Sequence, residues 1–419
     1  MRFLIIIGDG MADLPVRSLG GKTPLEAAGA ENLNFLASMG SSGLMHPPVP
    51  GVAPGSDVAH LKILGYDPLK DYTGRGPLEA AGAGIDTAAG GIFFRCNLCE
   101  LAPDGTITNE KVNISPRGWA EVEARLNGAL GAEFKDLEVS FRHTQSYRGI
   151  LVVRGEGVSP EASFPQPKRY GKVPPACPTT GASAEAYRTA KVLARFKEMS
   201  GEHFIGHVSS PKKYAVIPWG GGAVPRPKGF REKHGVSAAG IAGVPLIKGI
   251  CRVCGISVVE VRGATGGPDT DTLAKARGAL EALESHALAL IHIEATDELS
   301  HDGDAEGKVE MIRKVDAMVG YILDRVSLEE TRVAVLPDHI TSTELRRHTG
   351  DPVPVVIAGG GFPKDGVRAY SESAARRGGL GLIGCGELLP TLIRQGLREC
   401  ANTCPARWNA TGDAVVGNR

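Results

Sequence analysis

Two periodicities of apolar residues divide the chain. Phe3 to Ile7, residues 287 to 293, Thr331 to Leu336 and Val353 to Ala358 are short, almost wholly apolar runs, the pattern of strands covered on both faces of a parallel sheet. Between them, apolar positions three and four apart predict helices. Thr23 opens one with Pro24 at its first position, Asn32 to Met39 carries Leu33, Phe35, Leu36 and Met39, and further helices are expected over Asp57 to Leu64, Thr270 to Ser285 and from Asp304 to Arg325. Strands alternating with helices predict an α/β fold with a mostly parallel sheet flanked by helices. Residues 92–234 break this rhythm, with strand pieces at Ile92 to Cys96 and Gly149 to Val153, helices at Gly118 to Leu130 and Ala182 to Met199, and a Pro-rich passage from Ser159 to Pro178. They read as a smaller inserted α+β domain, leaving 1–91 and 235–398 as the larger domain and 399–419 as a loosely attached tail.

Composition narrows the classes of function. Lys plus Arg and Asp plus Glu both number 47, so the formal charge is zero and gives no electrostatic reason to expect nucleic acid or an anionic membrane as partner. No apolar run reaches the roughly 18 residues of a membrane span. The opening MRFLIIIGDG is too short in its apolar run, and lacks the small-residue cleavage site, for a signal peptide, so a cytoplasmic location is expected. Oligomeric state is not readable, and a homo-oligomer is compatible with the sequence. Of eight cysteines, Cys96 with Cys99 and Cys251 with Cys254 form CxxC pairs. Their separation of about 150 residues is unlike the roughly 15 to 20 of a zinc ribbon, and small apolar fillers are the expectation.

The candidate chemistry sits where apolar runs end. Asp9 follows the first run between two glycines, at the carboxyl edge where open α/β sheets build their sites. Asp297 and His301, four apart beyond the run ending at 293, share one side of a helical turn; a surface pair would look the same. Pro337-Asp338-His339 closes another run, and His348 follows. Ser56, after Pro54-Gly55, opens a helix whose free N–H groups suit a phosphate, although a plain N-cap would read identically. Serine needs a base or a metal to become a nucleophile. Three aspartates, three histidines and a serine suffice for two cations, one held by an Asp and two His, the other by two Asp, one His and the serine oxygen. Arg75 lies in a glycine-rich stretch, and Arg95, Arg148 and Arg169 in the inserted block are candidates for gripping a phosphorylated carboxylate.

These motifs together resemble the cofactor-independent phosphoglycerate mutases of archaeal type, within the alkaline phosphatase superfamily. The resemblance runs through GDGMAD at 8–13, PGSD at 54–57, YTGRGPLEAAG at 72–82, FRCN at 94–97, LIKGI at 246–250, EATDELSHDGD at 294–304, LPDH at 336–339 and HTGDPVPV at 348–355. It implies an alkaline-phosphatase-like core, conversion of 3-phosphoglycerate to 2-phosphoglycerate through a phosphoserine at Ser56, and no need for 2,3-bisphosphoglycerate. It also implies one divalent ion on Asp297, His301 and His348 and a second on Asp9, Ser56, Asp338 and His339, manganese foremost, with zinc, cobalt or magnesium also acceptable to the donors. Lys248 is implied as a phosphate or carboxylate contact, helped by arginines of the inserted domain. The family's arginine-rich segment with LLRGAG is replaced by SSPKKYAVIPWGGGAVPR at 209–226, and its acidic run by FPQPKRYGKVPP. The Trp219-Gly220-Gly221-Gly222 stretch resembles a branch suggested to act as homoserine kinases, so a kinase or a metal-dependent phosphatase on the same scaffold is the alternative.

Overall fold

The computed structural model describes residues 1–168, 170–178, 182–203 and 213–393, and the strand pair Arg407–Trp408 with Ala414–Val415. Arg169, residues 209–212 and most of the tail expected from Glu399 lie outside them. The chain forms two compact units. The first comprises Met1–Tyr66, Val236–Ile241 and the described residues from Val259 onward.

Seven strands of this unit run side by side in the order Ala238–Ile241, Leu288–Ile293, Arg2–Gly8, Thr331–Leu336, Val353–Ala358, Gly40–His46 and Gly381–Gly384. The first four are mutually parallel, and Val353–Ala358 runs antiparallel to both its neighbours. The three central strands are the apolar runs of the sequence, buried on both faces except for Arg2 at the start. Their register decides where chemistry can gather. Gly8 stands level with Ile293 and Ile7 with Leu336, so Asp9, the segment from Glu294 and the segment from Pro337 leave the sheet at one edge. Helix Pro24–Ala28 starts as expected, with Thr23 and Glu26 closing a reciprocal capping box, but it spans only five residues because Gly29 follows at φ 63°.

The second unit comprises Asp67–Gly235 and Ala242–Val258. Strand Ile92–Leu101 is its axis, antiparallel to Arg148–Arg154 and to Lys213–Gly222, with Glu138–Gln145 beyond Arg148–Arg154. Helices Pro116–Glu133 and Ala184–His203 pack on these strands. Phe94, Leu98, Trp119, Phe141, Leu151, Phe196 and Val216 form its separate core. The unit therefore reaches beyond 92–234 and takes in helices Arg75–Gly82 and Pro245–Val253, which the sequence had suggested for the larger domain. These helices cross at two glycines. A Cβ on Gly82 would lie 1.7 Å from the Pro245 carbonyl oxygen, and one on Gly249 would lie 1.7 Å from that of Leu78. Such a backbone-to-backbone contact between segments far apart in sequence leaves no apolar periodicity to read.

Cys96, Cys99, Cys251 and Cys254 are buried and joined by no disulfide. Burial pushes the Cys96 and Cys99 thiols up and takes Cys251 to about 12, which suits fillers rather than ligands or nucleophiles. Among the described residues no cysteine joins a group able to hold a metal ion, and no helix is long and apolar enough to cross a membrane.

Candidate metal centre

All seven residues expected at the metals come from the first unit and converge at that sheet edge. Asp9 is turned inward because Gly10 adopts φ 57°, a conformation that glycine accepts without strain. A side chain at Gly10 would also strike Thr341 Oγ1 at 2.3 Å and Asp297 Oδ1 at 2.9 Å. The Gly10 N–H donates to Asp338 Oδ1 at 3.1 Å, and Thr296 Oγ1 donates to the Asp9 carbonyl at 2.5 Å. Asp297 and His301 lie on helix Ala295–Asp302, four apart as predicted, with His301 Nε2 3.5 Å from Asp297 Oδ2. His348 arrives by a hairpin: Arg347–Thr349 pairs antiparallel with Ile340–Ser342, placing His348 opposite Thr341 and its ring on that of His339 at 3.8 Å. His348 Nε2 is 3.2 Å from Asp297 Oδ1 and 3.0 Å from His301 Nε2.

The N-cap of helix Ser56–Ile63 is Gly55, and no side chain caps it. Ser56 occupies the first helical position instead, with its buried hydroxyl 3.4 Å from Asp9 Oδ1 and 3.3 Å from His339 Nε2. Ser56 is therefore not the N-cap of this helix.

Hydrogen bonds fix which ring nitrogen faces inward. His301 Nδ1 donates to the Arg346 carbonyl at 3.0 Å and His348 Nδ1 to the Pro54 carbonyl at 2.8 Å, so each presents Nε2 to the centre. Arg346 holds its carbonyl there from φ 54°, an uncommon conformation outside glycine. Thr341 donates to Asp297 Oδ1 at 2.6 Å and lies 3.1 Å from His339 Nδ1, which turns His339 Nε2 inward as well.

Three carboxylates, Asp9, Asp297 and Asp338, are buried together here. Burial opposes the charge on Asp9, but hydrogen bonds from His292 and His339 outweigh it and hold the carboxyl well below the usual range. Asp297 is likewise held down to about 2, chiefly by His348, against its burial. Burial and the neighbouring Asp9 charge push Asp338 up to about 6. Although burial works against its charge, His339 is raised to about 10 by Asp338 and Asp9. Asp338 Oδ2 is buried without a hydrogen-bond partner. An excess of buried carboxylates around one imidazolium, with one carboxylate oxygen that accepts no hydrogen bond, is relieved by cations. Donor atoms of Asp297, His339 and His348, and of Asp9, Asp338 and His339, lie within 4.8 Å of one another, so the residues fit metal ions.

Two histidines escaped the sequence reading. Fully buried His292 lies 3.0 Å from Asp9 Oδ2, and fully buried His60 donates from Nδ1 to the Ser56 carbonyl at 2.7 Å while standing 3.4 Å from Asp338 Oδ2. Burial lowers both below the usual imidazole value and keeps them neutral. The available signals were a polar residue in the apolar run 287–293 and a histidine one helical turn after Ser56.

The expected substrate contacts belong to the second unit. Lys248 lies on helix Pro245–Val253 and Arg75 at the start of helix Arg75–Gly82, with its side chain 21% exposed. Arg148 is half-buried on its strand, whereas Arg95 is buried against Glu79, Asn97 and Trp219 and is no open contact in this structure.

Fold and centre together fit a metal-dependent enzyme with a serine hydroxyl beside the metal-type donors, and the Metalloenzyme superfamily model matches residues 1–392. The 2,3-bisphosphoglycerate-independent phosphoglycerate mutase 1 of Methanothermobacter thermautotrophicus is 39% identical over 402 residues, covering 94% of this chain and 97% of its own. The corresponding protein of Methanopyrus kandleri is 40% identical over 394 residues, 91% of this chain and 93% of its own. The chain belongs to the 2,3-bisphosphoglycerate-independent phosphoglycerate mutase family. Among solved structures, the cofactor-independent phosphoglycerate mutase of Thermoplasma acidophilum aligns with a TM-score of 0.62 at 28% identity, over 94% of this chain and 98% of its own. A protein from Pyrococcus horikoshii aligns with a TM-score of 0.76 at 32% identity, over 94% and 96%.

Proposed function

We propose that the protein interconverts 3-phosphoglycerate and 2-phosphoglycerate through a phosphoserine at Ser56, without 2,3-bisphosphoglycerate, as a cytoplasmic enzyme. The observation that carries the reading is the uncapped, buried Ser56 hydroxyl standing between Asp9 and His339 at the head of its helix. Asp297, His301 and His348 would hold one divalent ion and Asp9, Ser56, Asp338 and His339 the other, with manganese the ion we favour. Such ions supply the positive charge that favours ionised oxygen and neutralises a phosphoryl group in transfer.

The chain's own residues do the rest. Ser56 Oγ gives up its proton and forms a bond to phosphorus as the bond from phosphorus to the substrate's C3 oxygen breaks and that oxygen takes up a proton, and the positive end of helix Ser56–Ile63 favours the added negative charge. The C2 hydroxyl of the bound glycerate then gives up its proton and bonds to phosphorus as the Ser56 Oγ–phosphorus bond breaks, and Ser56 takes up a proton to become a hydroxyl again. Reversal of these two steps runs the opposite direction. Recognition of the phosphorylated carboxylate is assigned to Arg75, Arg148 and Lys248 of the second unit, with Arg95 behind them. The names of the relatives favour this reaction over the kinase or phosphatase alternative. An enolase-coupled assay with manganese and 3-phosphoglycerate tests it: 2-phosphoglycerate should form, and formation unaffected by Ser56→Ala would refute the phosphoserine.

A further inference from the structure

In the second unit the arginines assigned to recognition are held by Glu79, Asn97, Trp219 and Tyr147, to which the reaction as proposed gives no role. Glu79 is 3% exposed and four residues after Arg75 on the same helix, so the two face one another across one turn, with Arg75 Nε donating to Glu79 Oε1 at 2.8 Å. The same oxygen accepts from Arg95 Nη1, on strand Ile92–Leu101. Arg95, also 3% exposed, donates from Nε to Asn97 Oδ1 at 3.2 Å, and the Trp219 indole N–H donates to that same Asn97 oxygen at 3.1 Å. Trp219 lies beneath both guanidiniums, 5.9 Å from that of Arg75 and 5.5 Å from that of Arg95. Tyr147 carries Arg95 at 5.9 Å and Arg148 at 5.1 Å.

We propose that Glu79 is a positioning residue for anion recognition: with Asn97 and Trp219 it locks the Arg75 and Arg95 guanidiniums in one arrangement before a ligand arrives. This rests on the reading that these arginines recognise the substrate. Burial alone would disfavour the Glu79 charge, yet the charges of Arg95 and Arg75, then Arg148, hold its carboxyl below the usual range. An ionised carboxylate shared by two guanidiniums at buried depth fixes their planes. A free arginine surrenders rotamer freedom on binding, and one already clamped has less to lose. Arg75 is the partly exposed member, so it meets the ligand; Arg95 adds charge from behind. Trp219 thereby gains a role in a segment that departs from the family pattern. The ligand is an oxyanion, carboxylate or phosphoryl, on a small molecule.

The test uses the metal-loaded full chain, with titration calorimetry of 3-phosphoglycerate, D-glycerate and glycerol phosphate, alongside steady-state kinetics. Glu79→Gln should weaken 3-phosphoglycerate binding by about tenfold, raising KM while kcat changes by less than about threefold. Arg75→Ala should do the same, and the double variant should be no weaker than the worse single one, since both remove one coupled unit. Whichever of glycerate and glycerol phosphate loses affinity in step identifies the anionic group. A folded Glu79→Gln protein that binds like wild type, or losses that multiply in the double variant, overturns the inference. If Glu79→Gln does not fold, Trp219→Phe keeps an aromatic face but removes the N–H to Asn97. It should weaken 3-phosphoglycerate binding about threefold, and unchanged binding overturns the inference equally. Unchanged binding in both Arg75→Ala and Arg148→Ala would instead sink the recognition reading beneath it.

Discussion

Lys308 offers a test of how the fold holds the metal centre. It is fully buried on helix Ala305–Leu323, and its ammonium donates to the carbonyls of Ala12 at 3.0 Å and Thr341 at 2.9 Å and to Asp13 Oδ2 at 3.0 Å. One cation thus ties the segment after Asp9 to the strand that carries Thr341. Lys308→Met keeps the volume and removes the charge. Breaking a buried ion pair by deleting one partner costs about 3–5 kcal/mol, because the remaining charge is uncompensated. Asp13 would still accept from the Thr343 N–H at 3.0 Å and from its hydroxyl, so the lower end, about 3 kcal/mol, applies here. For a domain of this size that is a fall in Tm of roughly 6–12 °C. Adding Asp13→Asn removes the stranded charge and should restore about a third of the loss. Calorimetry would follow the transition and metal analysis the centre, whose affinity should drop about tenfold as Thr341 loosens beside Asp297. A Tm within about 2 °C of wild type in Lys308→Met would refute the argument that this buried pair organises the site.

Other consequences follow from the same geometry. Ser56→Ala should lower mutase turnover by about a thousandfold or more while metal content, read by elemental analysis, stays near wild type, because aspartates and histidines supply the remaining donors. His292→Ala should weaken metal binding about 10–100-fold, measured by competition with a chelator, since His292 holds the Asp9 carboxylate by a 3.0 Å hydrogen bond. Metal uptake near pH 8 should release about one proton, because His339, held up to about 10 in the metal-free fold, must lose its proton to bind an ion. Titrations in two buffers of different ionisation enthalpy read that proton directly. The sign also predicts that the metal-free protein loses the His339 contribution as pH rises from the ordinary imidazole value through about 10, visible as a falling Tm.

Much of the centre was legible because its donors follow apolar strands. Parallel strands buried on both faces announce themselves as unbroken apolar runs, and the residue after each run then lies at a common edge; Asp9 and the Asp338-His339 pair were found this way. His60 and His292 were missed because a histidine inside an apolar helix or strand carries no local mark of its partner, and their roles arise only from strand register and helix packing. The second unit's reach into 67–91 and 242–258 was illegible for a related reason, since the Gly82–Gly249 crossing is a backbone contact with no side-chain pattern. Ser56 shows the limit from the other side: a cap and a candidate nucleophile share one sequence, and Gly55 as the N-cap removes the first of the two readings.

The central claim is covalent, so its most direct test is mass spectrometry of the Ser56 peptide from manganese-loaded protein quenched during turnover of 3-phosphoglycerate. A phosphoryl group on Ser56, present with substrate and absent without it, is the predicted result. Rapid formation of 2-phosphoglycerate with no phosphate on Ser56 at any quench time would contradict it.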